Sequence, residues 1–155
     1  MDPRERQMLA ALQSADFFNR YSDICEKFRV QDNQLMKKPE SDQILDIVRT
    51  LGFDGKFFKG EKFYKLWPSG STYADPENLL FRMMVDVGHL ELLIAVKIDG
   101  ELVGGPLFSF PYMIGSEDST CPGFRNYEEF REVFSALIPL YEDMRKAFAP
   151  IIDKE

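Results

Sequence analysis

The sequence predicts an α+β fold built on a mainly antiparallel sheet of about four strands. Three apolar segments follow one another between Leu79 and Phe110, and short turn sequences separate them. This order is typical of an antiparallel meander. Apolar residues recur at helical spacing before and after these segments, which predicts N-terminal helices and a C-terminal helix packed on one face of the sheet.

The composition is that of one folded domain. The chain has 155 residues, of which 45% are apolar and 14 are phenylalanine. A domain of this length buries roughly 70% of the surface of its unfolded chain, which is enough for a hydrophobic core. We therefore expect a single domain over residues 1–155, in a chain too apolar to be disordered.

The net charge of −7 bears on the choice of partner. An acidic surface repels phosphate backbones, so nucleic acid is not expected as a partner. It attracts a basic protein and speeds the encounter with it. Solubility alone is the other explanation of an acidic surface.

The chain has no apolar segment of the roughly 18 residues that a membrane span needs. Its first residues lead into an amphipathic helix and not into the apolar core of a signal peptide. Cys25 and Cys121 do not make a disulfide framework. These features predict a cytoplasmic protein with reduced thiols and no membrane contact.

Two helices are predicted before the sheet. Pro3 follows Asp2 as the first helical residue, and helical spacing of apolar residues continues to Phe28, which predicts a helix over residues 3–28. The second helix, over residues 41–51, starts at Ser41, a good N-cap. It ends before Gly52, where a helix C-terminal glycine belongs.

The predicted sheet spans residues 56–114, and its first strand is basic and aromatic. One face of this strand carries Phe63, Lys65 and Trp67, and the other carries Tyr64 and Leu66. Interleaved basic and aromatic side chains can bind single-stranded nucleic acid, but the acidic remainder of the chain opposes it. We interpret the segment as an exposed strand with a buried aromatic face.

The central strand of the meander places five apolar residues on one face: Leu90, Leu92, Ile94, Val96 and Ile98. The intervening positions mix apolar and charged residues, which predicts a half-wet second face. Gly88–His89 and Asp99–Gly100 are expected to be two-residue turns, and Asp-Gly favours type I′. Gly104–Pro106 cannot continue a central ladder, so a bulge or a sheet edge is expected there.

The last helix is predicted over residues 126–149. Asn126 caps it, and Glu129 completes a capping pair three residues on. Its apolar stripe comprises Phe130, Val133, Phe134, Leu137, Tyr141, Met144 and Phe148. Pro139 lies inside this stripe and is expected to kink the helix or to split it in two.

Residue types that usually carry catalysis are few. His89 is the only histidine, and no motif pairs it with a nucleophile. Cys25 and Cys121 are interpreted as core or incidental thiols, with a redox role as the alternative. The glutamates that start the last helix suit its dipole and need no acid–base role. We predict no catalytic residue, no metal site and no cofactor, and we do not expect an enzyme.

Two stretches resemble a known family. Asp99–Pro106 reads Asp-Gly-Glu-Leu-Val-Gly-Gly-Pro, and Phe124–Glu129 reads Phe-Arg-Asn-Tyr-Glu-Glu. They resemble small cytosolic bacterial proteins that are encoded beside polymorphic toxins, contact-dependent or type VI secreted, and that are regarded as immunity proteins. The resemblance covers roughly Gly52 to Phe148, about two thirds of the chain.

The resemblance implies an immunity protein, an antitoxin that neutralises a cognate toxin in the cytosol by direct binding. A toxin with a basic surface fits the negative charge of the chain. Loops outside the scaffold can vary with the partner, and an aromatic anchor supplies the centre of an interface. The expected contact residues are Tyr73, Asp75, Glu77, Glu117 and Asp118.

Two other functions stay open at this point. One is a standalone binding or regulatory α+β domain that holds a small ligand on the open face of its sheet. The other is an enzyme that uses carboxylates and main-chain groups. The enzyme requires a pocket with strongly perturbed titratable groups, which the structure can reveal.

Overall fold

The protein is an α+β fold with an open antiparallel sheet and helices on one side of it. The structure, a computed structural model, describes residues 1–70 and 78–153. The described helices are α1 (Pro3–Ser14), α2 (Phe17–Lys27), α3 (Ser41–Thr50) and α4 (Tyr127–Phe148), with 3₁₀ segments at Asp32–Gln34 and Leu107–Ile114. The described strands are β1 (Phe53–Phe58), β2 (Phe63–Pro68), β3 (Leu79–Met84), β4 (Glu91–Ile98) and β5 (Glu101–Pro106).

The sheet is a meander in the order β1-β2-β3-β4-β5, one strand more than predicted. The additional strand is β1, which pairs with β2 along its whole length, from Phe53 opposite Pro68 to Phe58 opposite Phe63. Its sequence hides it, because Gly55 and its charged neighbours have low strand propensity and break the apolar alternation. Contacts with β2 and α3 stabilise it instead.

The predicted helix over residues 3–28 is two helices. Asp16 adopts a left-handed backbone with φ of 53°, and a right-handed helix cannot continue through such a residue. The Asp16 carboxylate accepts a hydrogen bond of 3.0 Å from the Asn19 amide. The change of direction turns Phe17 into the core, where it is 0% exposed and packs edge-on against Phe110.

The bounds of α3 and α4 agree with the predicted helices to within one residue. Gly52 has a φ of 93°, as a helix C-terminal glycine does, but the N-cap of α3 is Glu40 and not Ser41. The Asn126 side chain accepts from the Glu129 backbone N–H of α4 at 2.9 Å. α4 continues through Pro139, so it is not split.

The connections around β4 differ from each other. Asp99 and Gly100 have φ of 49° and 84°, which confirms the type I′ turn. The predicted Gly88–His89 turn is wrong, because residues 85–90 form a longer connection between β3 and β4. Hydrogen bonds from Lys38 N to Asp86 O (2.8 Å) and from Phe124 N to Gly88 O (2.9 Å) hold this connection outside the sheet.

The last strand, β5, is an edge of the sheet, and its register with β4 has no extra residue. The edge alternative for Gly104–Pro106 is therefore confirmed, and the bulge is not formed. A Cβ on Gly104 would lie 2.2 Å from the Ile94 carbonyl oxygen, so only glycine permits this approach. The sheet ends at Pro106, because Leu107–Ile114 forms a 3₁₀ segment in place of the predicted extension to residue 114.

The core lies between the sheet and the helices. Phe53 of β1 and Phe81 of β3 contact the α4 ring of Tyr141, with ring centroids 5.7 and 4.0 Å apart. The predicted stripe of α4 is buried, and so is the apolar face of the central strand from Leu90 to Ile98. Within the described residues, no helix has both the length and the apolar content to cross a membrane.

Candidate functional site: a groove beside helix α2

The predicted contact residues fall into two groups. Tyr73, Asp75 and Glu77 lie outside the described residues. Glu117 and Asp118 are exposed in the loop that follows Leu107–Ile114. The structure thus brings two of the five candidates to one place, and their surroundings define the candidate site.

Two large apolar side chains lie exposed just before these acids. Tyr112 is 54% exposed and Ile114 is 49% exposed. The 3₁₀ conformation accounts for this, because side chains three residues apart share a face. Leu107 and Phe110, three residues apart, face the core. Tyr112 and Ile114 do not belong to this row of side chains, so they face away from the core. Exposed aromatic and aliphatic side chains beside carboxylates are characteristic of protein interfaces.

A groove of about 360 Å³ separates this loop from α2, and we call it the α2 groove. Helix α2 contributes Phe18, Ser22 and Glu26, and the loop side contributes Ile114, Ser116 and Asp118. Both walls mix apolar and polar groups. The groove is therefore suited to contacts that combine burial of an apolar side chain with hydrogen bonds at its rim.

The Thr120 carbonyl group ties the loop to α2. Thr120 O accepts a hydrogen bond of 3.2 Å from Tyr21 Oη, and the Cys25 thiol donates a longer one, with Sγ 3.5 Å from the same oxygen. Tyr21 is buried and stacks on Phe17, with ring centroids 5.2 Å apart. The position of the loop is set by the helical core beneath it, so the groove is present without a partner.

We call the four exposed residues Tyr112, Ile114, Glu117 and Asp118 the rim; Ile114 and Asp118 line the groove, and Tyr112 and Glu117 are near them in sequence. The charge of the rim is negative. Arg29 pairs with Glu26 at 2.7 Å, which leaves Glu117 and Asp118 as the uncompensated charges of the loop. The Asp118 backbone N–H donates to Ser116 Oγ at 3.2 Å, and no described cation pairs with its carboxylate. Exposed charges of this kind steer a basic partner more than they stabilise the fold.

The two cysteines, far apart in sequence, line one cavity of about 350 Å³ next to the groove. Burial raises the pKa of the Cys25 thiol, and burial, with a contribution from Glu91, raises the pKa of the Cys121 thiol to about 12. Both thiols are therefore protonated at neutral pH. A protonated thiol is a poor nucleophile and a poor metal ligand.

The same cavity contains the only histidine. His89 forms an isolated bridge with Gly123, and its Nδ1 atom is buried without a hydrogen-bond partner in the described chain. Burial raises the pKa of Glu91, which the nearby His89 opposes. The raised pKa of Cys121 favours the neutral thiol over the thiolate that a nucleophile needs.

Across residues 1–70 and 78–153, no group of three or more His, Cys, Asp or Glu side chains is arranged to hold a metal ion. At the start of α4, Glu129 has a structural role, because its carboxylate accepts hydrogen bonds from the backbone and the side chain of Arg125. Those hydrogen bonds lower the pKa of Glu129.

The sequence predicted that Glu117 and Asp118 lie in a loop. It did not predict the α2 groove or the exposure of Tyr112 and Ile114. A signal was available, since Pro106 and Pro111 interrupt any strand over residues 106–114 and favour a turn-like conformation. No protein-family model, curated protein or solved structure matches the chain.

Proposed function

We propose that this chain is an immunity protein, which neutralises a cognate bacterial toxin in the cytosol by direct, non-covalent binding. The observation that carries the proposal is the rim of the α2 groove, where Tyr112 and Ile114 lie exposed beside Glu117 and Asp118. The resemblance of the Asp99–Pro106 motif to immunity proteins supplies the class of partner.

The rim has the parts that a protein interface needs. Aromatic side chains dominate binding energy when a partner buries them, and Tyr112 is the described residue best placed for that role. Glu117 and Asp118 would accelerate the encounter with a basic toxin surface. An interface of standard size covers about 800 Å² per partner, so the rim would form its centre and the flanks of α2 its periphery.

A neutraliser of this kind needs a stable scaffold and no chemistry of its own. The rim is held by α2 and by the Tyr21–Thr120 hydrogen bond, so binding costs little ordering of the chain. The cavity beside it contains protonated thiols, which fits a structural role for Cys25 and Cys121.

Small-ligand binding is the second candidate function. The α2 groove, at about 360 Å³, lies within the size range of ligand pockets, roughly 300–1,000 Å³. A ligand in the groove would contact Ile114 and Asp118, which line it, but Tyr112 is not among the lining residues. The two functions therefore differ in what Tyr112 does, since only a protein partner needs its exposed ring.

The test is complex formation between this protein and the toxin encoded beside its gene. We expect the pair to co-purify, and we expect Tyr112→Ala to increase the dissociation rate by about tenfold or more. Leu102→Ala is the matched control, because Leu102 is equally exposed, at 55%, on β5. A toxin that binds Tyr112→Ala as tightly as the natural chain would remove the rim from the proposal, and no complex at all would end it.

The charge of the rim has its own test. Reversing both acids, Glu117→Lys with Asp118→Lys, should slow association and weaken its dependence on salt. Glu5→Lys with Glu132→Lys changes the net charge equally on α1 and α4 and should affect association less. Equal effects of the two pairs would mean that net charge alone attracts the partner.

A further inference from the structure

The sheet has a second surface, on the side away from the helices. We call it the open face, and no helix of the described chain packs on it. It carries Lys56, Phe58, Phe63, Lys65, Trp67, Arg82, Met84 and Leu93. The register places them together, because Lys65 lies opposite Arg82 and Arg82 lies opposite Leu93, while the alternate residues of β2 are buried in the core.

The open face is basic although the chain is acidic. Among the described strand residues it carries the cations Lys56, Arg82 and Lys97 besides Lys65, and the carboxylates of Asp54 and Glu91. The guanidinium carbon of Arg82 lies 4.6 Å from the ring centroid of Phe63. Phe63 stacks on Phe58 at 4.8 Å, and Lys56 Nζ lies 5.1 Å from the Phe58 ring. Positively charged groups therefore lie over the faces of the stacked aromatic rings.

A small notch opens beside Arg82. It encloses about 110 Å³, and its walls include the apolar residues Phe63, Met84, Leu93 and Pro106 together with Glu91. The Arg82 Nε atom is buried and has no hydrogen-bond acceptor among the described residues. Because Arg82 also lines the notch, a carboxylate that reaches the notch can accept a hydrogen bond from the guanidinium group.

We propose that the open face binds an acidic segment of another protein. An apolar side chain of the segment enters the notch, and a neighbouring carboxylate accepts a hydrogen bond from Arg82. Lys56 and Lys97, on the same face, attract the remaining carboxylates of the segment. This surface is distinct from the α2 groove, and the proposal does not depend on the toxin contact.

The dimensions of the notch favour a protein partner over a small molecule. Ligand pockets enclose roughly 300–1,000 Å³, whereas an engineered apolar cavity of about 150 Å³ holds one benzene molecule. A notch of about 110 Å³ therefore accepts one side chain. A segment that is anchored by one side chain needs further contacts along the sheet, and the charged rows of the open face provide them.

Nucleic acid fits the open face less well. Bases bind by stacking on aromatic rings that are free to receive them. The Phe63 ring already stacks on Phe58 and carries the Arg82 guanidinium.

The test uses three fluorescent probes with the full chain: a glutamate–tyrosine copolymer, a lysine–tyrosine copolymer and an oligothymidylate. We expect the acidic copolymer to bind and the affinity to fall as salt is raised. Binding of the oligothymidylate with similar or greater affinity would overturn the proposal in favour of nucleic acid. Failure of the acidic copolymer to bind would overturn it outright.

Variants locate the binding. Arg82→Gln should weaken binding of the acidic copolymer by about tenfold or more, because it removes the charge and the buried donor. Arg6→Gln on α1 makes the same change of charge at an exposed position and should change affinity by less than about twofold. Equal losses in both variants would show that net charge alone is responsible, and would overturn the proposal.

A second variant keeps the test independent of folding. Met84→Glu adds a carboxylate at the wall of the notch and leaves Arg82 in place. If thermal melts show that Arg82→Gln is unfolded, Met84→Glu decides: it should repel the acidic copolymer and weaken binding by about tenfold. Unchanged affinity in a folded Met84→Glu chain would overturn the proposal.

Discussion

The phenol of Tyr21 donates a hydrogen bond of 3.2 Å to the carbonyl of Thr120, and it thereby ties helix α2 to the loop that carries Glu117 and Asp118. Tyr21 is only 4% exposed, so the bond is largely shielded from water. The shape of the α2 groove thus depends on a contact within the core. Loss of this hydrogen bond should therefore affect the loop that carries Glu117 and Asp118.

Removal of the Tyr21 hydroxyl should loosen the loop. We expect Tyr21→Phe to lower the free energy of unfolding by about 0.5–1.5 kcal/mol, because it deletes one hydrogen bond while keeping the ring. Urea unfolding measures the change, and hydrogen exchange of the loop amides should become faster. Tyr112→Phe is the control, since its ring is exposed. Equal stability of Tyr21→Phe and the natural chain would mean that the bond to Thr120 contributes nothing.

Replacement of Phe134 should be among the most damaging changes. Its ring is 1% exposed and meets Phe53 edge-on, with centroids 5.5 Å apart. Phe134→Ala should destabilise the fold by about 3–5 kcal/mol, because it removes buried area and leaves a cavity. Chemical denaturation gives the value, and Tyr112→Ala provides an exposed aromatic for comparison. A loss below about 1 kcal/mol would contradict the packing of α4 described above.

Gly104 should tolerate no side chain. Its φ of 140° is strained for other residues, and a Cβ would meet the Ile94 carbonyl oxygen at 2.2 Å. Gly104→Ala should therefore lower the free energy of unfolding by more than about 1 kcal/mol. Gly60→Ala is the matched control, because nothing lies within 4 Å of its added Cβ. Similar thermal midpoints for the two variants would show that β5 can shift to admit a methyl group.

The turn between β4 and β5 should be sensitive to acid. The Asp153 carboxylate accepts hydrogen bonds of 2.8 Å from the backbone N–H groups of Gly100 and Asp99, and these bonds lower its pKa. Because the pKa is lower in the folded state, the carboxylate stabilises the fold above the unfolded value of about 3.9. That contribution is lost as pH falls through the lowered pKa of Asp153.

Stability measured against pH between neutral and strongly acidic solution checks this. The natural chain should lose more stability on acidification than Asp153→Asn does. Asp23→Asn is the control, since Asp23 is exposed and forms no hydrogen bond or ion pair within the described residues. A parallel pH dependence for the natural chain and Asp153→Asn would show that the turn does not depend on this carboxylate.

Cys121 should react slowly with thiol reagents. Burial holds its pKa near 12, so the thiolate fraction at neutral pH is far below that of a free cysteine with a pKa of about 8.5. We expect alkylation in the folded chain at least about a hundredfold slower than alkylation of free cysteine, with a rate that rises with pH. Mass spectrometry of the labelled peptide gives the rate. Fast labelling at neutral pH would show that the thiol is activated, and would revive a catalytic or redox role.

The sequence predicted those strands and helices in which the spacing of the apolar residues fits only one type of secondary structure. The central strand alternates strictly from Leu90 to Ile98, and the stripe of α4 repeats at helical spacing around Phe134. In both, burial against the core selects the apolar positions, so the pattern records the packing. The Asp99–Gly100 turn was predicted for a different reason, because few dipeptides accept two positive φ angles.

The breaks and connections depend on contacts that are distant in sequence. Asp16 ends α1 in the middle of a continuing helical pattern, and only the position of Phe17 against Phe110 explains the turn. The connection over residues 85–90 is held by backbone groups of Lys38 and Phe124. No local sequence pattern indicates such bonds. A tight turn was therefore predicted where the structure has a longer connection.

The candidate site was predicted in part for the same reason. Glu117 and Asp118 were placed in a loop by their polar surroundings. Tyr112 and Ile114 were assigned to the predicted sheet. Side chains of a strand alternate between its two faces, so one face would have been buried there. The exposure of Tyr112 and Ile114 follows from the 3₁₀ period of Leu107–Ile114, which depends on the two prolines and on the packing of that segment.

The proposed toxin neutralisation is tested most directly by the survival of cells that express the toxin encoded beside this gene, with and without this protein. Toxin neutralisation predicts survival with the natural chain and with Leu102→Ala, and killing when Tyr112→Ala is combined with Glu117→Lys and Asp118→Lys in a chain that still folds. Equal killing with and without the natural chain, or the absence of any toxin gene beside it, would rule out toxin neutralisation and favour a small-ligand-binding domain.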